Sequence, residues 1–515
     1  MTRSRTQKTA DFLARERHAR LAEEASIDAE LQNLLNAHRL NEECGVFGIA
    51  GVGEAAAIAA LGLHALQHRG QEAAGVATFD GELFYSERHP GLVSDAFSKA
   101  TVLERLPGDR AIGHTRYSTQ GGPVLRNTQP LYADLVSGGF AVAHNGNLTN
   151  ARTLREELVK HGCIFQSTSD SELFLQLTAR SHQLRLIDKL IDALKQIEGA
   201  YALVALTNKK LIGARDPVGI RPLILGDLDG APVLASETCA LDLIGAQFVR
   251  DIEPGEIVVC TEDGIESVRF APTRPARPCV FELIYFARPD SIVDGQSVYE
   301  LRKRLGRRLA KEQPADADVV IPVPDSGTPS ALGYAQKAGL DFELGIVRSH
   351  YVGRTFITPQ QKLREVGVKR KLSVNRSQIE GKRVVLVDDS LVRGTTSRKI
   401  VNMVRDAGAR EVHMRIACPP IEFPDYYGID TPSRDELLAA TKSHEEMRAE
   451  IDADSLGFVS LDGLYKAMGR THRDDDEPAF TDHCFTGDYP TQLTDLQRQS
   501  AKRSVAQLSL LAETG

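Results

Sequence analysis

Two acids at the end of an apolar run are the residues best placed to do chemistry. Val384-Val385-Leu386-Val387 leads into Asp388-Asp389, and Ser390-Leu391-Val392-Arg393-Gly394-Thr395-Thr396-Ser397 follows at once. The β-branched run reads as a strand. Ile400, Met403, Val404 and Ala407 then recur at helical spacing, and Gly408 suits a helix C-terminus. The order is strand, loop, helix, with the loop at the carboxyl end of the strand, where open α/β sheets bind ligands. Backbone N–H groups of such a loop and of the helix start can cradle a phosphate dianion. The two carboxylates stand where they can hold ribose hydroxyls or a hydrated cation such as Mg²⁺. A buried strand ending in a solvated acidic turn is the plainer alternative. It leaves the ordered loop and helix unexplained.

A second group begins at Cys44. A free cysteine is usually a small buried hydrophobe, but this one has company. Gln67-His68-Arg69-Gly70-Gln71-Glu72-Ala73-Ala74-Gly75 follows, then Gly113-His114-Thr115-Arg116-Tyr117-Ser118-Thr119. His144-Asn145-Gly146-Asn147-Leu148 and Ser167-Thr168-Ser169-Asp170-Ser171-Glu172 complete the set. Taken singly, Arg116 and Asp170 read as surface charges and Asn145-Gly146 as a type I′ turn.

Two kinds of framework must position these groups. From Glu43 to about residue 270, short apolar runs alternate with Gly-rich turns, and Leu203 to Leu206, Pro222 to Leu225 and Glu256 to Val259 read as strands. Ala55 to Gln67 and Ser171 to Ala179 read as helices, giving an α+β layered domain. Ala271-Pro-Thr-Arg-Pro-Ala-Arg-Pro-Cys279 has the proline density of a linker. Beyond it Asp318 to Val323 precedes a Gly/Ser/Thr loop and a helical Ala331 to Lys337. Strands alternating with helices imply a parallel sheet. The chain thus divides into a leader at 1–43, halves at 44–275 and 276–470, and a C-terminal tail with an amphipathic segment at 471–515.

Bulk properties exclude several classes. The chain has 515 residues, 42% hydrophobic and 26% charged, as an ordinary globular protein does. A net charge of −8 gives no reason to expect nucleic acid as partner. No apolar stretch approaches the roughly 20 residues that span a bilayer. Seven scattered cysteines do not form a disulfide framework and point to a reducing cytoplasm. The leader lacks a signal peptide's apolar core, and Glu16, Glu23, Glu24 and Glu30 argue against a transit peptide.

The Asp388-Asp389 segment resembles the phosphoribosyl-pyrophosphate (PRPP) motif of the type I phosphoribosyltransferases. Pro322-Val323-Pro324-Asp325-Ser326-Gly327-Thr328 resembles their pyrophosphate loop. The set that begins at Cys44 resembles the glutamine amidotransferase domain of the N-terminal-nucleophile class. In this order, from about Glu42 to Thr491, they resemble the glutamine PRPP amidotransferase family. The resemblance implies a four-layer αββα glutaminase domain followed by a parallel-sheet phosphoribosyltransferase domain. It implies a pentosyltransferase in which ammonia from glutamine displaces pyrophosphate from PRPP. The products are 5-phosphoribosylamine, glutamate and pyrophosphate, at the first step of de novo purine synthesis.

The resemblance also implies roles. Cys44 is the nucleophile and its own α-amine the base. That requires cleavage between Glu43 and Cys44, because an internal residue has no free amine. The Asn145 side chain and the Gly146 N–H form an oxyanion hole. Arg116 holds the glutamine α-carboxylate, Asp170 its α-ammonium, and Arg69 orders the loop around the nucleophile. Ser326, Asp388 and Asp389 hold one Mg²⁺ per subunit. Arg393, Gly394, Thr395 and Thr396 wrap the 5-phosphate, with the two acids on the ribose hydroxyls. A basic loop carrying Tyr351, Arg354 and Lys371 closes as a lid. A homotetramer with feedback inhibition by AMP and GMP is the family expectation.

One departure concerns metal. Part of the family carries a four-cysteine [4Fe–4S] cluster, and two of its positions read here as Cys239 and Cys484. Asp425 and Thr481 stand at the other two. Cluster irons require thiolates, so no cluster is expected. Two other readings stay open. One is another amidotransferase, such as glucosamine-6-phosphate synthase or asparagine synthetase, which the PRPP motif disfavours. The other is a PRPP-sensing regulator, which has no use for Cys44, Arg116, Asn145 and Asp170.

Overall fold

A computed structural model of the chain describes residues 44–117, 124–348 and 372–498. The expected leader (1–43), the lid residues Tyr351, Arg354 and Lys371, and the end of the expected tail lie outside the described residues.

The first half builds two antiparallel sheets. One runs, in spatial order, β11 (Gln247–Asp251), β9 (Ile224–Leu228), β10 (Ala231–Ala235), β1 (Gly45–Ala50), β4 (Arg110–Arg116), β2 (Ala73–Phe79) and β3 (Phe84–Pro90). The other runs β13 (Gly264–Arg269), β12 (Glu256–Thr261), β8 (Leu211–Arg215), β7 (Gly199–Thr207), β6 (Gly138–Leu148) and β5 (Leu131–Leu135).

Side-chain alternation explains why the sheets stack. Along β7, Ala202, Val204 and Leu206 pack with Val46, Ala77 and Ile112 of the first sheet. Tyr201, Leu203 and Ala205 face the other way, under α2 (Ala151–Lys160), α3 (Glu172–Arg180) and α4 (Leu186–Leu194). On β1, Phe47 and Ile49 turn outward beneath α1 (Ala55–Ala65) and α5 (Thr238–Ile244). The result is four layers, helix–sheet–sheet–helix. At Gly48 the sheets nearly touch, for a Cβ there would stand 2.7 Å from Val204 Cγ1 and 2.9 Å from Leu211 Cδ1.

The second half holds a parallel sheet. A short hairpin of β14 (Ile292–Val293) and β15 (Gln296–Ser297) leads into α6 (Val298–Glu312). The sheet order is β17 (Asp341–Phe342), β16 (Val319–Pro322), β20 (Arg383–Asp388), β21 (Glu411–Ile416) and β22 (Ser455–Phe458). The helices α7 (Thr328–Ala338) and α8 (Thr395–Asp406) follow β16 and β20. They begin three and five residues before the apolar periodicity does, because the loop residues themselves form the first turn. An antiparallel ribbon of β18 (Ile346–Arg348) and β19 (Leu372–Val374) brings Arg348 beside Leu372.

The proline-rich segment is pinned at its end rather than loose. Arg277 and Cys279 donate their N–H groups to the carbonyls of Val218 and Ile220. Val280 donates to Thr481 and Thr481 to Pro278, forming a bridge between Cys279 and Thr481. Up to residue 498, the chain beyond 470 is also packed. Phe480, Cys484 and Phe485 join a core that includes Val218 and Ile220 of the first half. Asp495 accepts from the N–H groups of Arg152 and Thr153 and so caps α2.

The Gly48→Val variant inserts carbon between two touching sheets and is expected to cost about 1–3 kcal/mol. Calorimetry would read this as a lower Tm, and an unchanged Tm would contradict the close approach.

Candidate active sites

Strand pairing assembles the first constellation. β1 lies beside β4 with Gly45 opposite Thr115, which brings Cys44 to the end of β4 where Arg116 sits. The Cys44 thiol donates to the Tyr117 carbonyl at 3.4 Å. Burial pushes this thiol up to about 11; the Tyr117 bond and Arg116 pull the other way, and Asp170 adds to the rise. Gly70 allows the turn that carries Arg69 to lie against β4, since a Cβ there would stand 2.7 Å from the Arg116 carbonyl carbon.

Asn145 and Gly146 do not form a hairpin turn. They continue β6, opposite Ala202 and Tyr201 of β7. The Asn145 side chain is fully buried, and neither Nδ2 nor Oδ1 has a partner among the described residues. A desolvated amide is costly unless it meets a ligand, so this group fits an oxyanion. Gly146 has φ +130, and a side chain there would stand 2.1 Å from the Ala200 carbonyl oxygen.

Gln129, and His114, His144 and Ser171 of the quoted motifs, support this strand, although sequence reasoning gave them no role. The Gln129 side chain and the His144 backbone exchange hydrogen bonds at 2.7 and 3.3 Å. His144 Nδ1 meets Ser171 Oγ at 2.9 Å, and its Nε2 lies 3.7 Å from Asp170 Oδ2. Asp170 accepts from the Leu148 N–H at 3.1 Å. His114 on β4 lies 3.2 Å from the His144 carbonyl and ties the two sheets together here. Burial lowers both histidines, so each stays neutral near pH 7.

Arg69 lies beneath Cys44 with no exposed surface. Its Nε donates to the Cys44 carbonyl at 3.2 Å. Its Nη1 reaches Glu237 and Glu282, and its Nη2 reaches Glu282 at 2.7 Å. Burial works to raise the Glu237 carboxyl. His68 and Arg69 more than reverse that and hold it well below the usual range.

The second constellation sits at the carboxyl ends of neighbouring strands. Pro322 of β16 is level with Val387 of β20, so the loops after the two strands meet. Asp388 and Asp389 are both buried. The Asp389 N–H donates to Asp388 Oδ1 at 2.9 Å, and the Ser390 hydroxyl donates to Asp389 Oδ1 at 2.5 Å. At Gly327 a Cβ would stand 2.4 Å from the Val387 carbonyl oxygen, so glycine lets the Ser326 loop lie against the acids. The Ser326 hydroxyl is shielded from solvent and has no partner among the described residues. A hydroxyl on a loop packed against the strand end that carries two acids offers, with them, hard oxygen donors of the kind Mg²⁺ takes. Gly394 has φ +76 and leads directly into Thr395 and Thr396, the first residues of α8. Arg393 points to Glu436 at 3.4 Å.

A third region joins the two. Asp425 and Cys484 lie together, as expected, but Cys239 does not join them. Cys239 packs under the outer face of the first sheet, with its thiol toward the Ala65 carbonyl. Cys279 is the cysteine bridged to Thr481 and close enough to act on Cys484 electrostatically. Sequence reasoning missed it because the pairing spans two hundred residues of chain. The Thr481 hydroxyl donates to the Arg277 carbonyl, and Asp425 accepts from His483 Nε2 at 2.7 Å. Two thiols, an alcohol and a committed carboxylate are not a four-thiolate set.

A glutamine amidotransferase domain model matches residues 114–242, and a phosphoribosyl transferase domain model matches residues 290–422. The chain is 58% identical over 487 residues to an amidophosphoribosyltransferase of Rhizobium etli, covering 93% of this chain and 98% of that one. It is 49% identical to one from Bacillus subtilis, covering 88% of this chain and 95% of the relative. The chain belongs to the amidophosphoribosyltransferase family. A solved structure of the Bacillus subtilis glutamine PRPP amidotransferase, complexed with ADP and GMP, superposes with a TM-score of 0.83 at 48% identity. It covers 87% of this chain and 98% of that one. Among the described residues of this family member, no helix is long and apolar enough to cross a membrane.

A thiol pushed up to about 11 has a direct consequence. Only the thiolate is alkylated, so iodoacetamide labelling of Cys44 in the full chain should quicken about tenfold per pH unit from 7 to 10. Mass spectrometry of the Cys44 peptide would follow it, and a plateau below pH 9 would contradict the burial.

Proposed function

We propose that this chain is an amidophosphoribosyltransferase that couples glutamine hydrolysis to amination of PRPP. The observation that carries the reading is that both constellations occur in one chain whose relatives match it along nearly their whole length. Glutamine and water give glutamate and ammonia in the first half. Ammonia and PRPP give 5-phosphoribosylamine and pyrophosphate in the second, at the entry to purine synthesis.

In the glutamine site, Arg116 grips the α-carboxylate as a bidentate fork and Asp170 the α-ammonium. The Cys44 sulfur attacks the side-chain amide carbon. Its proton passes to the α-amine and then to departing ammonia, leaving a thioester that water cleaves. Asn145 Nδ2 and the Gly146 N–H carry the negative charge on the oxygen. The amine exists only after cleavage before Cys44, so the leader at 1–43 is a propeptide. A thiol held near 11 needs such a base, whose own pKa of about 7.7–8.0 suits it to the task.

In the PRPP site, the loop from Arg393 to Thr396 takes the 5-phosphate on backbone N–H groups. Asp388 and Asp389 hold the ribose hydroxyls. Ser326, Asp388 and Asp389 would hold one Mg²⁺, which supplies neutralisation of the pyrophosphate charge. Tyr351, Arg354 and Lys371 close over the leaving group and keep water out. No iron–sulfur cluster belongs at Asp425 and Thr481. The enzyme works in the cytoplasm as a homotetramer under inhibition by AMP and GMP. The ADP and GMP bound to the Bacillus subtilis enzyme support a purine-nucleotide site in this family. The halves meet near residue 276.

Glutamate and pyrophosphate release, measured with intact mass, tests the reading. Equal release that depends on PRPP and Mg²⁺, from chains starting at Cys44, is expected. Glutamate without pyrophosphate would refute it. Cys44→Ala should abolish the glutamine-dependent reaction and leave ammonia-dependent amination intact. Asp389→Asn should lower both by about a hundredfold or more.

A further inference from the structure

Asp425 belongs to the second half, yet its partners lead into the glutamine site by two routes. Its Oδ2 accepts from the N–H groups of Tyr427 at 2.9 Å and Ile429 at 2.8 Å. Its own N–H donates to Thr431 Oγ1 at 2.6 Å. These bonds close residues 425–431 into one turn. His483 completes it, for a carboxylate only accepts and Nε2 must donate across the 2.7 Å separation. The His483 ring also meets the Tyr427 ring edge-on, with centroids 5.0 Å apart.

The first route runs through the turn itself. The Tyr426 carbonyl accepts from Asn147 Nδ2 at 2.8 Å. At Gly428 a Cβ would stand 3.2 Å from the carbonyl carbon of Gly146. The turn therefore presses on β6 at Gly146 and Asn147, beside Asn145. The second route runs through arginine. Arg221 donates twice to the Tyr427 carbonyl, at 3.1 and 2.9 Å, and once to Glu282 at 3.2 Å. Glu282 holds Arg69, and Arg69 holds the Cys44 carbonyl. Both ends of the glutamine chemistry, the oxyanion donors and the nucleophile, thus rest on one carboxylate of the other half.

We propose that the Asp425–His483 pair positions the oxyanion donors of the glutamine site, acting through the 425–431 turn on Gly146 and Asn147. The inference rests on the functional reading above. Neither residue touches a substrate, so both are positioning residues. Asp425 Oδ1, His483 Nε2 and Cys484 Sγ lie within 4.8 Å of one another, a spacing that could also suit a metal ion. The 2.7 Å contact between oxygen and nitrogen is a hydrogen bond, however, and a donating Nε2 has no lone pair to offer an ion. The thiol stays protonated, because burial and the nearby Asp425 raise it well above its ordinary value.

Ammonia supplied in solution bypasses the glutamine site, which separates positioning from folding. Full-length, processed enzyme carrying Asp425→Asn, His483→Leu or Asn147→Ala would be assayed with glutamine and with ammonium chloride. The expected result is a fall of about 10- to 100-fold in kcat with glutamine, with KM for glutamine and ammonia-dependent activity within about twofold of the parent. His483→Gln keeps an N–H donor for Asp425 and should restore most of the lost kcat. An equal fall in both activities for all three variants would overturn the proposal in favour of a structural role. So would unchanged glutamine activity in Asn147→Ala. Parent enzyme without either activity would instead refute the functional reading, and the proposal with it.

Discussion

Arg69 and Glu282 meet with both side chains fully buried, and much of this molecule depends on that contact. Four charged groups share the region: Arg69, Glu237, Glu282 and Arg221, all fully buried. Taking charges out of water is expensive, and a pair recovers the loss only with good geometry and further hydrogen bonds. Here those conditions are met. Glu237 also accepts from Ser291 and from the Arg288 N–H, and Arg221 from its side also reaches the Tyr427 carbonyl. Removing one member would strand its partner as an unpaired buried charge, at a cost of about 3–5 kcal/mol. The network therefore fixes where the nucleophile starts, where the second half begins and where the 425–431 turn sits.

The two sites solve different problems with different backbones. Amide hydrolysis needs donors aimed at one oxygen, and the segment proposed for it in β6 is paired to β7 at Asn145 and Gly146, with a glycine where no side chain would fit. Phosphate recognition needs many N–H groups converging on a dianion, and the loops proposed for it follow β16 and β20 at the ends of parallel strands. Each backbone would serve the other reaction poorly. A sheet strand has spent most of its N–H groups on neighbours, and a loop without packing cannot hold an amide rigidly.

The sequence was most legible where chemistry is local. Asp388 to Thr396 could be placed because strand, loop and helix follow one another without interruption, and Gly394 does take the left-handed conformation. The layered first half was legible because Leu203 to Leu206 of β7 is an unbroken apolar run, as a strand buried on both faces has. Long-range pairing was not legible. Cys239 was read as a partner of Cys484 without weighing Cys279, whereas the bridge to Thr481 brings Cys279 to that region. The same holds for Arg221 and Glu282, ordinary charges in sequence that meet only after both halves fold. The proline-rich segment looked like a tether because proline lacks an N–H. The residues between and after the prolines still donate theirs to both sides.

That sharing has a consequence for how the enzyme can be divided. A glutaminase half ending near residue 275 would keep Arg69 and Arg221 but lose Glu282 and the Tyr427 carbonyl that satisfy them. It would also bare Val218 and Ile220, which now lie in the core of the second half. The guanidinium of Arg69 would then have Glu237 alone to balance its charge, directly beneath the Cys44 carbonyl. The glutamine site is thus built by the first half and completed by the second. A fold in which the ammonia producer is incomplete without the ammonia consumer keeps the two reactions together by construction.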